Sequence, residues 1–435
     1  MIRAMKRIIL IYPLLTLLFF SAEAQENSPF SRFGIGDILS QEFSVSQGMG
    51  GLSTGLFEAD VLNISNPASY AFLTRATLDI GIYGNVLTIS NDEESLTSGN
   101  ASISHLAVGL PIWKRRMGLS FGLVPFSRTQ YNIQQTFEPD TSIGRQVYDF
   151  QGGGTTYRIY LGLGHQYKGF SVGANASYMF GRIFQTRIIT FPDEDEAYST
   201  RAITANTLGG FVFDAGLGYR YKFRNDLSLN LGLSGKLKSN LGGSEDTEWS
   251  TLIVSENFQF VKDSISFIDN GENDITLPTQ WSAGFTLKQG PRNIDDPLWT
   301  FGVDFSSARF SQFEGFSSFD TVFTDSWKVK VGGEFTPARD PESTRRRIDY
   351  RLGFQYGKSH LQFNSEPLNE FGITFGFGIP ISGGRKAVWQ RSSKINMSFQ
   401  VGQRGSDLLF NETFYRGTIG FTLSDSRWFL KSKIN

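Results

Sequence analysis

The sequence predicts an all-β protein, specifically a 14-stranded antiparallel transmembrane β-barrel with an N-terminal plug inside the lumen. Three observations predict it: alternation of apolar with small or polar residues, 47 Gly and 40 Phe among 435 residues, and no long apolar run after the first 24 residues. Alternation of period two gives a strand one apolar face. Without apolar helices, a chain can cross a membrane only as a closed barrel.

The composition excludes several classes of protein. Because 41 Lys and Arg balance 42 Asp and Glu, an overall basic nucleic-acid binder is not expected. The chain has no Cys, which removes disulfide scaffolds, Cys zinc sites and thiol nucleophiles. His105, His165 and His360 have no metal-ligand spacing around them, and no hydrolase or phosphate-loop motif occurs. We predict no enzyme, cofactor or metal, although Ser, His and Asn from separate strands could still meet in a barrel hydrolase.

The N-terminus has the pattern of a cleavable export signal. Arg3, Lys6 and Arg7 precede an apolar run over 8–20, and small residues occupy the cleavage positions in Ala22-Glu23-Ala24. The run is shorter than the roughly 20 residues that a spanning helix needs. The predicted domains are therefore a signal peptide (1–24), a plug (25–76) and an outer-membrane barrel (77–435), located in the outer membrane of a Gram-negative cell.

Alternation predicts the strands of the barrel. In residues 227–234, Leu alternates with Ser, Asn and Gly, and in 371–379, Phe and Ile alternate with Gly and Thr. The same template predicts strands near residues 77–89, 102–112, 117–125 and beyond, 156–167, 170–187, 205–221, 227–237, 279–287, 299–305, 327–334, 349–357, 370–380, 394–404 and 414–423. An even number is typical of bacterial outer-membrane barrels.

The connections between these strands alternate in length and charge. The short connections 113–116, 168–169 and 222–226 are basic, whereas 188–204 and 238–278 are long and acidic. Short turns face the periplasm in such barrels, and long loops face outward. The acidic loops are interpreted either as solvated surface or as sites for divalent cations that bridge lipopolysaccharide. Membrane lipids and lipopolysaccharide are therefore predicted partners.

Residues 25–76 do not alternate, so they are not expected to form barrel wall. The segment contains two motifs: a compact Gly stretch with Gly48, Gly50 and Gly51, and the turn-forming Asn66-Pro67-Ala68. A segment that precedes the first strand of a wide barrel can fold into the lumen as a plug. The alternative is a periplasmic arm.

Pro125 interrupts the predicted third strand. Proline has no N–H to donate, so a neighbouring strand loses a partner there and the wall could open. The alternative is that Pro125 only marks the rim where the strand leaves the bilayer.

The chain resembles the long-chain fatty-acid transporter family of outer-membrane proteins, the FadL or TodX-like proteins. The Gly stretch and Asn66-Pro67-Ala68 resemble the motifs of the family's plug, and later segments match in order: 277–284, 299–304, 325–329 and 369–373. Residues 28–37 and the ending 428–431 resemble a Bacteroidetes-type branch.

The resemblance implies passive uptake of hydrophobic small molecules such as long-chain fatty acids, with lateral release at a kink in the third strand, which here falls at Pro125. Apolar contacts with the ligand would come from Phe30, Phe33, Met49 and Phe126. Bacteroidetes-type relatives also include a shuttle of the type IX secretion system, so the alternative is a non-transporting scaffold or shuttle subunit of a secretion or assembly complex. In that case a protein partner would dock on loop 238–278, whose apolar stretches could form an extra hairpin or a rigid lid.

Overall fold

The computed structural model describes most of the chain: residues 28–90, 95–113, 116–137, 144–194, 197–223, 226–255, 258–290, 298–315, 322–337, 347–363, 366–381, 393–405 and 411–425. The predicted signal peptide and the ending 428–431 lie outside the described residues. No helix in the described ranges is long and apolar enough to cross a membrane.

The described residues form mostly strands. The strands are β1 (Asp37–Ile38), β2 (Ala76–Ser90), β3 (Ser95–Trp113), β4 (Met117–Phe137), β5 (Gln146–Tyr167), β6 (Phe170–Thr190), β7 (Ser199–Lys222), β8 (Leu227–Lys236), β9 (Ser239–Ser255), β10 (Phe258–Glu272), β11 (Ile275–Leu277), β12 (Gln280–Gln289), β13 (Trp299–Ala308), β14 (Ser326–Phe335), β15 (Asp349–Phe363), β16 (Glu366–Pro380), β17 (Lys394–Gly405) and β18 (Asn411–Asp425). The helical elements are α1 (Ser44–Gly48) and the 3-10 turns Pro29–Arg32, Pro67–Phe72 and Phe310–Gln312.

Fourteen antiparallel strands close into a barrel. Each strand from β2 to β8 pairs with the next, β8 pairs with β12, and the series continues to β18. β18 then pairs with β2 over their whole lengths, from Asn411 opposite Ser90 to Asp425 opposite Ala76. Closure removes the free edges that would otherwise expose backbone polar groups to lipid. Each of the fourteen predicted strands is confirmed.

The outer face of the wall is apolar and the inner face is small or polar. On β15, Leu352 and Phe354 point outward and are exposed, whereas Gly353 and Gln355 are buried inside the ring. Exposed aromatic residues mark the two ends of the apolar belt, as in other outer-membrane barrels. They include Trp281, Trp327, Tyr356 and Tyr415 at one end and Trp113, Tyr167, Tyr221 and Tyr350 at the other.

The turn between β5 and β6 shows why the short connections can be so short. It consists of Lys168 and Gly169, with φ of 49° and 91°. Two positive φ values give the turn a twist that matches the flanking strands. The short predicted connection 168–169 is therefore a two-residue hairpin turn.

β9, β10 and β11 extend the wall on the outer side rather than adding to the fourteen strands. β9 pairs with the outer half of β7, from Leu252 opposite Ser199 to Gly242 opposite Gly209. β10 pairs with β9, and β11 pairs with the first residues of β9. The extra hairpin that was considered for loop 238–278 is therefore present.

Residues 28–75, called here the N-terminal segment, lie inside the ring of strands. Backbone atoms of Tyr70 contact the inner face of β4 at Gly118, those of Thr54 contact β8 at Gly232, and those of Met49 contact β14 at Gly332. Contacts on opposite sides of the ring require the segment to occupy the lumen. Its role as a plug stays a prediction.

Candidate functional site

The wall between β3 and β4 is incomplete. Their ladder runs from Trp113 opposite Met117 to Leu106 opposite Leu123 and ends there. Farther out, residues 95–105 of β3 pair with β2 alone among the described strands. A register shift between Pro125 and Ser127 bends β4 at the same level. The missing N–H of proline is the local reason why the ladder does not continue.

The N-terminal segment satisfies the edge of β4 that β3 leaves. The amide of Leu39 donates to the Phe126 carbonyl at 2.9 Å, and the Gln41 side chain donates to the Pro125 carbonyl at 3.1 Å. β1 then pairs with Ser127 and Arg128. These contacts replace the ladder bonds that β4 would otherwise make with β3.

Side chains bridge β3 and β4 again above this break. Arg128 donates to the Asn100 side-chain oxygen at 2.6 Å, and the Asn100 amide donates to Gln130 at 3.2 Å. The break is therefore bounded, and we call the interval between residues 101–105 of β3 and 124–127 of β4 the wall opening. Ile103, at its edge, faces outward and is 65% exposed, opposite the exposed Ile82 of β2. The opening therefore lies within the apolar belt.

A cavity of about 360 Å³ lies behind the wall opening. Ile103, Ser104, Pro125 and Arg128 line it at the opening. Its inner boundaries are residues 37–54 of the N-terminal segment and the inner faces of β12 to β18. The cavity thus connects the lumen with the place where the ladder is interrupted.

The lining of this cavity is polar rather than apolar. Its hydroxyl and amide groups include those of Ser234, Ser282, Ser306, Gln355 and Gln400. Its charged side chains are Asp37, Glu42, Arg128, Lys236, Asp304, Lys328, Lys330, Lys358, Glu370, Arg404 and Arg416. An apolar ligand would therefore meet polar groups on most sides.

Charged contacts hold the N-terminal segment against the wall. Glu42 accepts from Lys330 at 2.5 Å, Asp37 accepts from Arg404 at 2.8 Å, and Glu58 accepts from Lys288 at 2.9 Å. Burial opposes ionisation of Glu42, but Lys330 and the Ser40 hydroxyl lower its pKa to about 2. Burial likewise opposes ionisation of Asp37, but the Arg404 guanidinium lowers the pKa of that carboxyl below its usual value. Both carboxylates are therefore ionised at neutral pH.

The Gly stretch lies where the segment passes closest to the wall. Gly48 contacts Gly376 of β16, and Gly50 donates its amide to Thr374 at 2.8 Å. Gly50 and Gly51 have φ of 72° and 81°, a conformation that other residues rarely adopt. The structure thus places these glycines at a close approach between backbones, and their role in a plug motif remains a prediction.

Asn66-Pro67-Ala68 begins a 3-10 turn that packs on the opposite wall. The Asn66 side-chain oxygen accepts from the Ala68 amide at 3.1 Å, and its amide donates to the Thr54 carbonyl at 2.7 Å. Pro67 lies against Gly173 of β6, where a side chain on the strand would collide with it. The motif therefore links two parts of the segment to each other and to β6.

The four predicted ligand contacts are packed in apolar clusters and do not line the cavity. Phe30 and Phe126 belong to a cluster with Phe310, Phe313 and Phe323, and Phe33 packs edge-on against Phe363 at 5.1 Å. Met49 packs in a smaller cluster with Val45 and Leu52. Contact between these side chains and a ligand is left as a prediction.

Sequence analysis missed a hydrogen-bonded chain beside the wall opening. The His105 ring lies 3.1 Å from Asp79 through Nε2 and 3.0 Å from the Ser104 hydroxyl through Nδ1. The Phe43 ring of the N-terminal segment stacks on His105 with a centroid distance of 3.8 Å. This stacking buries His105 completely, so the group acts as an anchor for the segment. The only available signal was a polar residue at an inward position of a strand.

The lumenal charges were also missed at the level of individual residues. Asp304, Lys330 and Glu370 occupy inward positions of β13, β14 and β16, and their partners lie far away in sequence. Charged residues at inward positions of alternating strands are the signal that could have found them. Within the described part of the chain, no group of three His, Asp or Glu residues could hold a metal ion.

A closed barrel with an apolar belt, a filled lumen and an interrupted wall defines a protein with the fold of outer-membrane transport channels. The chain belongs to the BamG family, whose model matches residues 1–435. No curated protein sequence matches the chain.

Three solved structures share the fold at low sequence identity. The P. putida toluene transporter TodX has 13% identity and a TM-score of 0.57, with 89% of this chain and 99% of that chain covered. The Ralstonia pickettii toluene transporter TbuX has 14% identity and a TM-score of 0.54, with 89% and 99% covered. A Pseudomonas aeruginosa FadL homologue has 11% identity and a TM-score of 0.54, with 91% and 100% covered. The resemblance to FadL and TodX-like proteins is therefore confirmed as a resemblance of fold.

Proposed function

We propose that this protein is a passive outer-membrane channel for small molecules with a hydrophobic part, such as long-chain fatty acids, and that such molecules pass sideways through the wall opening. The supporting observation is the cavity that reaches the break in the β3–β4 ladder at Pro125. The fold shared with toluene transporters agrees with this proposal.

The apolar packing at the outer end of the barrel supports a lateral route through the wall opening. Phe30 and Ile35 of the N-terminal segment pack with Phe310, Phe313 and Phe323 and with residues of the extended strands. This cluster borders the cavity through Ala308 and Phe310, whereas Ile103 and Pro125 border it at the wall opening. A molecule in the bilayer would therefore enter through the wall opening without passing the cluster.

Capture of an apolar chain needs no energy source. Because the cavity lining is polar, the gain of about 0.8 kcal/mol per methylene moved out of water applies only to the part of the chain that stays among the apolar side chains of the wall opening and the bilayer. Passage through the lumen requires the N-terminal segment to shift, because it fills the space beside the cavity. In the proposed function this segment is the plug that controls release.

The test replaces Pro125 with alanine. An alanine N–H lets the β3–β4 ladder extend past Leu123, so Pro125→Ala should slow uptake of a labelled fatty acid several-fold in vesicles that contain the protein. Pro111→Ala is the matched control, because Pro111 pairs with Gly118 near the periplasmic end of β3, away from the wall opening. Unchanged uptake in Pro125→Ala would remove the wall opening from the route.

A second candidate function is that of a scaffold or shuttle subunit in a secretion or assembly complex, and the hairpin of β9 and β10 favours it. β10 pairs with β9 alone among the described strands, so its other edge is open. Its exposed apolar side chains include Phe260, Val261, Ile265, Phe267 and Ile268. An exposed apolar edge strand of this length is typical of a protein-binding surface.

The scaffold function predicts a complex that depends on this edge. Phe267→Lys, with Phe267 67% exposed, should dissociate a native-membrane complex on native gels and leave uptake unchanged. Phe137→Lys, at an exposed aromatic at the outer end of β4, is the control. A complex that survives Phe267→Lys would exclude β10 as the docking edge.

A further inference from the structure

The lumenal cavity carries more positive than negative side chains. Seven cationic residues and four carboxylates line it: Arg128, Lys236, Lys328, Lys330, Lys358, Arg404 and Arg416 against Asp37, Glu42, Asp304 and Glu370. Glu412, which contacts Arg404 from behind, reduces this surplus by one charge. A net positive charge on the low-dielectric walls of a cavity attracts anions.

Four of the seven lumenal cations have a carboxylate partner, among them Arg416, which lies 3.9 Å from Glu370. Lys330 pairs with Glu42, and Lys328 pairs with Glu370 at 3.2 Å. Arg404 contacts both Asp37 and Glu412. The surplus therefore falls on lining cations outside these pairs, among them Lys236 and Lys358.

Lys236 is the clearest of the remaining cations. It ends β8 and points inward, with its Nζ 5.9 Å from the centre of the Phe126 ring. In the part of the chain that the structure covers, no carboxylate lies within ion-pair distance of its Nζ, and the nearby Asp214 is paired with Arg158. An enclosed ammonium without a counter-ion is costly, so an anion in the cavity would stabilise it.

Two further features suit a tetrahedral oxyanion. Arg128, whose guanidinium donates to Asn100 above the wall opening, lines the same cavity as Lys236. Ser234, Ser282 and Ser306 stand side by side on β8, β12 and β13 and supply hydroxyl groups to the same cavity. Ammonium, guanidinium and hydroxyl groups are the usual donors to phosphate oxygens.

We propose that the cavity binds a phosphate monoester group, carried by a membrane amphiphile whose apolar chain extends through the wall opening. A phosphate monoester carries about −1.5 to −2 charges at neutral pH, which matches a surplus of more than one positive charge better than a single carboxylate does. The proposal rests on the proposed function in using the same cavity and opening. Free phosphate offers the same chemistry without the chain.

The test compares three probes on the purified full chain in an uncharged detergent. Phosphatidic acid should bind roughly tenfold more tightly than diacylglycerol with the same acyl chains, because charge-assisted hydrogen bonds reach the phosphate alone. Inorganic phosphate should bind more weakly than phosphatidic acid, since it has no chain. Equal binding of the two lipids would overturn the proposal, and phosphate binding as tight as that of phosphatidic acid would overturn the lipid source.

Lys236→Gln tests whether the Lys236 ammonium binds the phosphate group. It should weaken phosphatidic acid binding roughly tenfold and leave diacylglycerol binding unchanged. Lys222→Gln, at an exposed lysine at the far end of β7, removes the same charge and should change neither. Gel mobility before and after heating reports whether the variant barrels are folded. If a variant does not fold, the comparison of phosphatidic acid with diacylglycerol on the unaltered protein still tests the proposal. Unchanged fatty-acid uptake in Pro125→Ala would contradict the channel, whereas equal binding of phosphatidic acid and diacylglycerol by the unaltered protein would contradict the phosphate site, so the two failures are distinguishable.

Discussion

Among single residues, Glu42 joins the N-terminal segment to the barrel by accepting from Lys330 at 2.5 Å. Lys330 also donates to the Gly51 carbonyl at 3.2 Å, so one ammonium joins two points of the segment. Asp304 adds a second anchor by accepting from the amides of Ser53 and Thr54 at 2.7 and 2.8 Å. The segment is thus fixed on the wall of β13 and β14 by groups that could be changed one at a time.

Glu42 should make stability depend on acidity. Its pKa in the folded protein, about 2, lies below the ordinary value of 4.5, so the unfolded state takes up the proton first. The stabilisation is complete above about pH 4.5 and is lost as the pH falls towards 2, by an amount on the order of 3 kcal/mol. The difference in unfolding temperature between the unaltered protein and Glu42→Gln should shrink across this range.

The control for the acid titration is Glu194→Gln, at an exposed outer residue. Its unfolding temperature should follow that of the unaltered protein at every pH. A Glu42→Gln variant that behaves in the same way would contradict the role given to the Glu42–Lys330 pair.

At the scale of elements, glycines on the inner faces of the strands make room for the N-terminal segment. On β8, a Cβ at Gly232 would collide with the Thr54 carbonyl, whereas a Cβ at Gly235 would meet only the Gln280 carbonyl at 3.5 Å. Two glycines on one strand therefore have different environments.

Gly232→Ala should lower the stability of the protein and Gly235→Ala should not. Overpacking of this kind costs about 1–3 kcal/mol. Limited proteolysis should cut the N-terminal segment faster in Gly232→Ala, and the unfolding temperature should fall. Equal digestion of both variants would mean that the segment does not press on β8 as described.

Some elements of the structure could be predicted from the sequence and others could not. Alternation in segments such as 227–234 and 371–379 predicts strands because side-chain direction in a strand is a local property. Pro125 could be recognised because a missing N–H is also local. The pairing of Glu42 with Lys330 could not be predicted, because it depends on where residues 288 positions apart meet in space. The apolar packing of Phe30 and Phe126 could not be predicted for the same reason, because nothing in the sequence distinguishes these two from the other Phe residues among the 40.

For the molecule as a whole, the filled lumen is the feature with the largest consequence. The N-terminal segment contacts β4 to β7 through the 3-10 turn Pro67–Phe72, and it contacts β15 to β18 through α1. The apolar cluster with Phe30 and Phe310 adds further packed side chains next to the cavity. The N-terminal segment and this cluster therefore occupy space that the strands alone would leave open.

The whole molecule should conduct ions poorly until the segment is removed. Deletion of residues 28–72 should raise single-channel conductance in planar bilayers several-fold, because a barrel of this width encloses more space than its own side chains fill. A variant with a shortened β9–β10 hairpin should keep the low conductance of the complete protein. High conductance before any deletion would contradict a filled lumen.

The length of β7 has a consequence for what can reach this protein from outside the cell. A strand of 24 residues extends roughly 80 Å, and at a tilt of about 40° it rises about 60 Å, twice the thickness of the hydrocarbon layer. β9 runs beside its outer half. The tip of the β9–β10 hairpin thus lies tens of ångströms above the lipid surface. At this height an antibody fragment could bind the tip without contacting the bilayer.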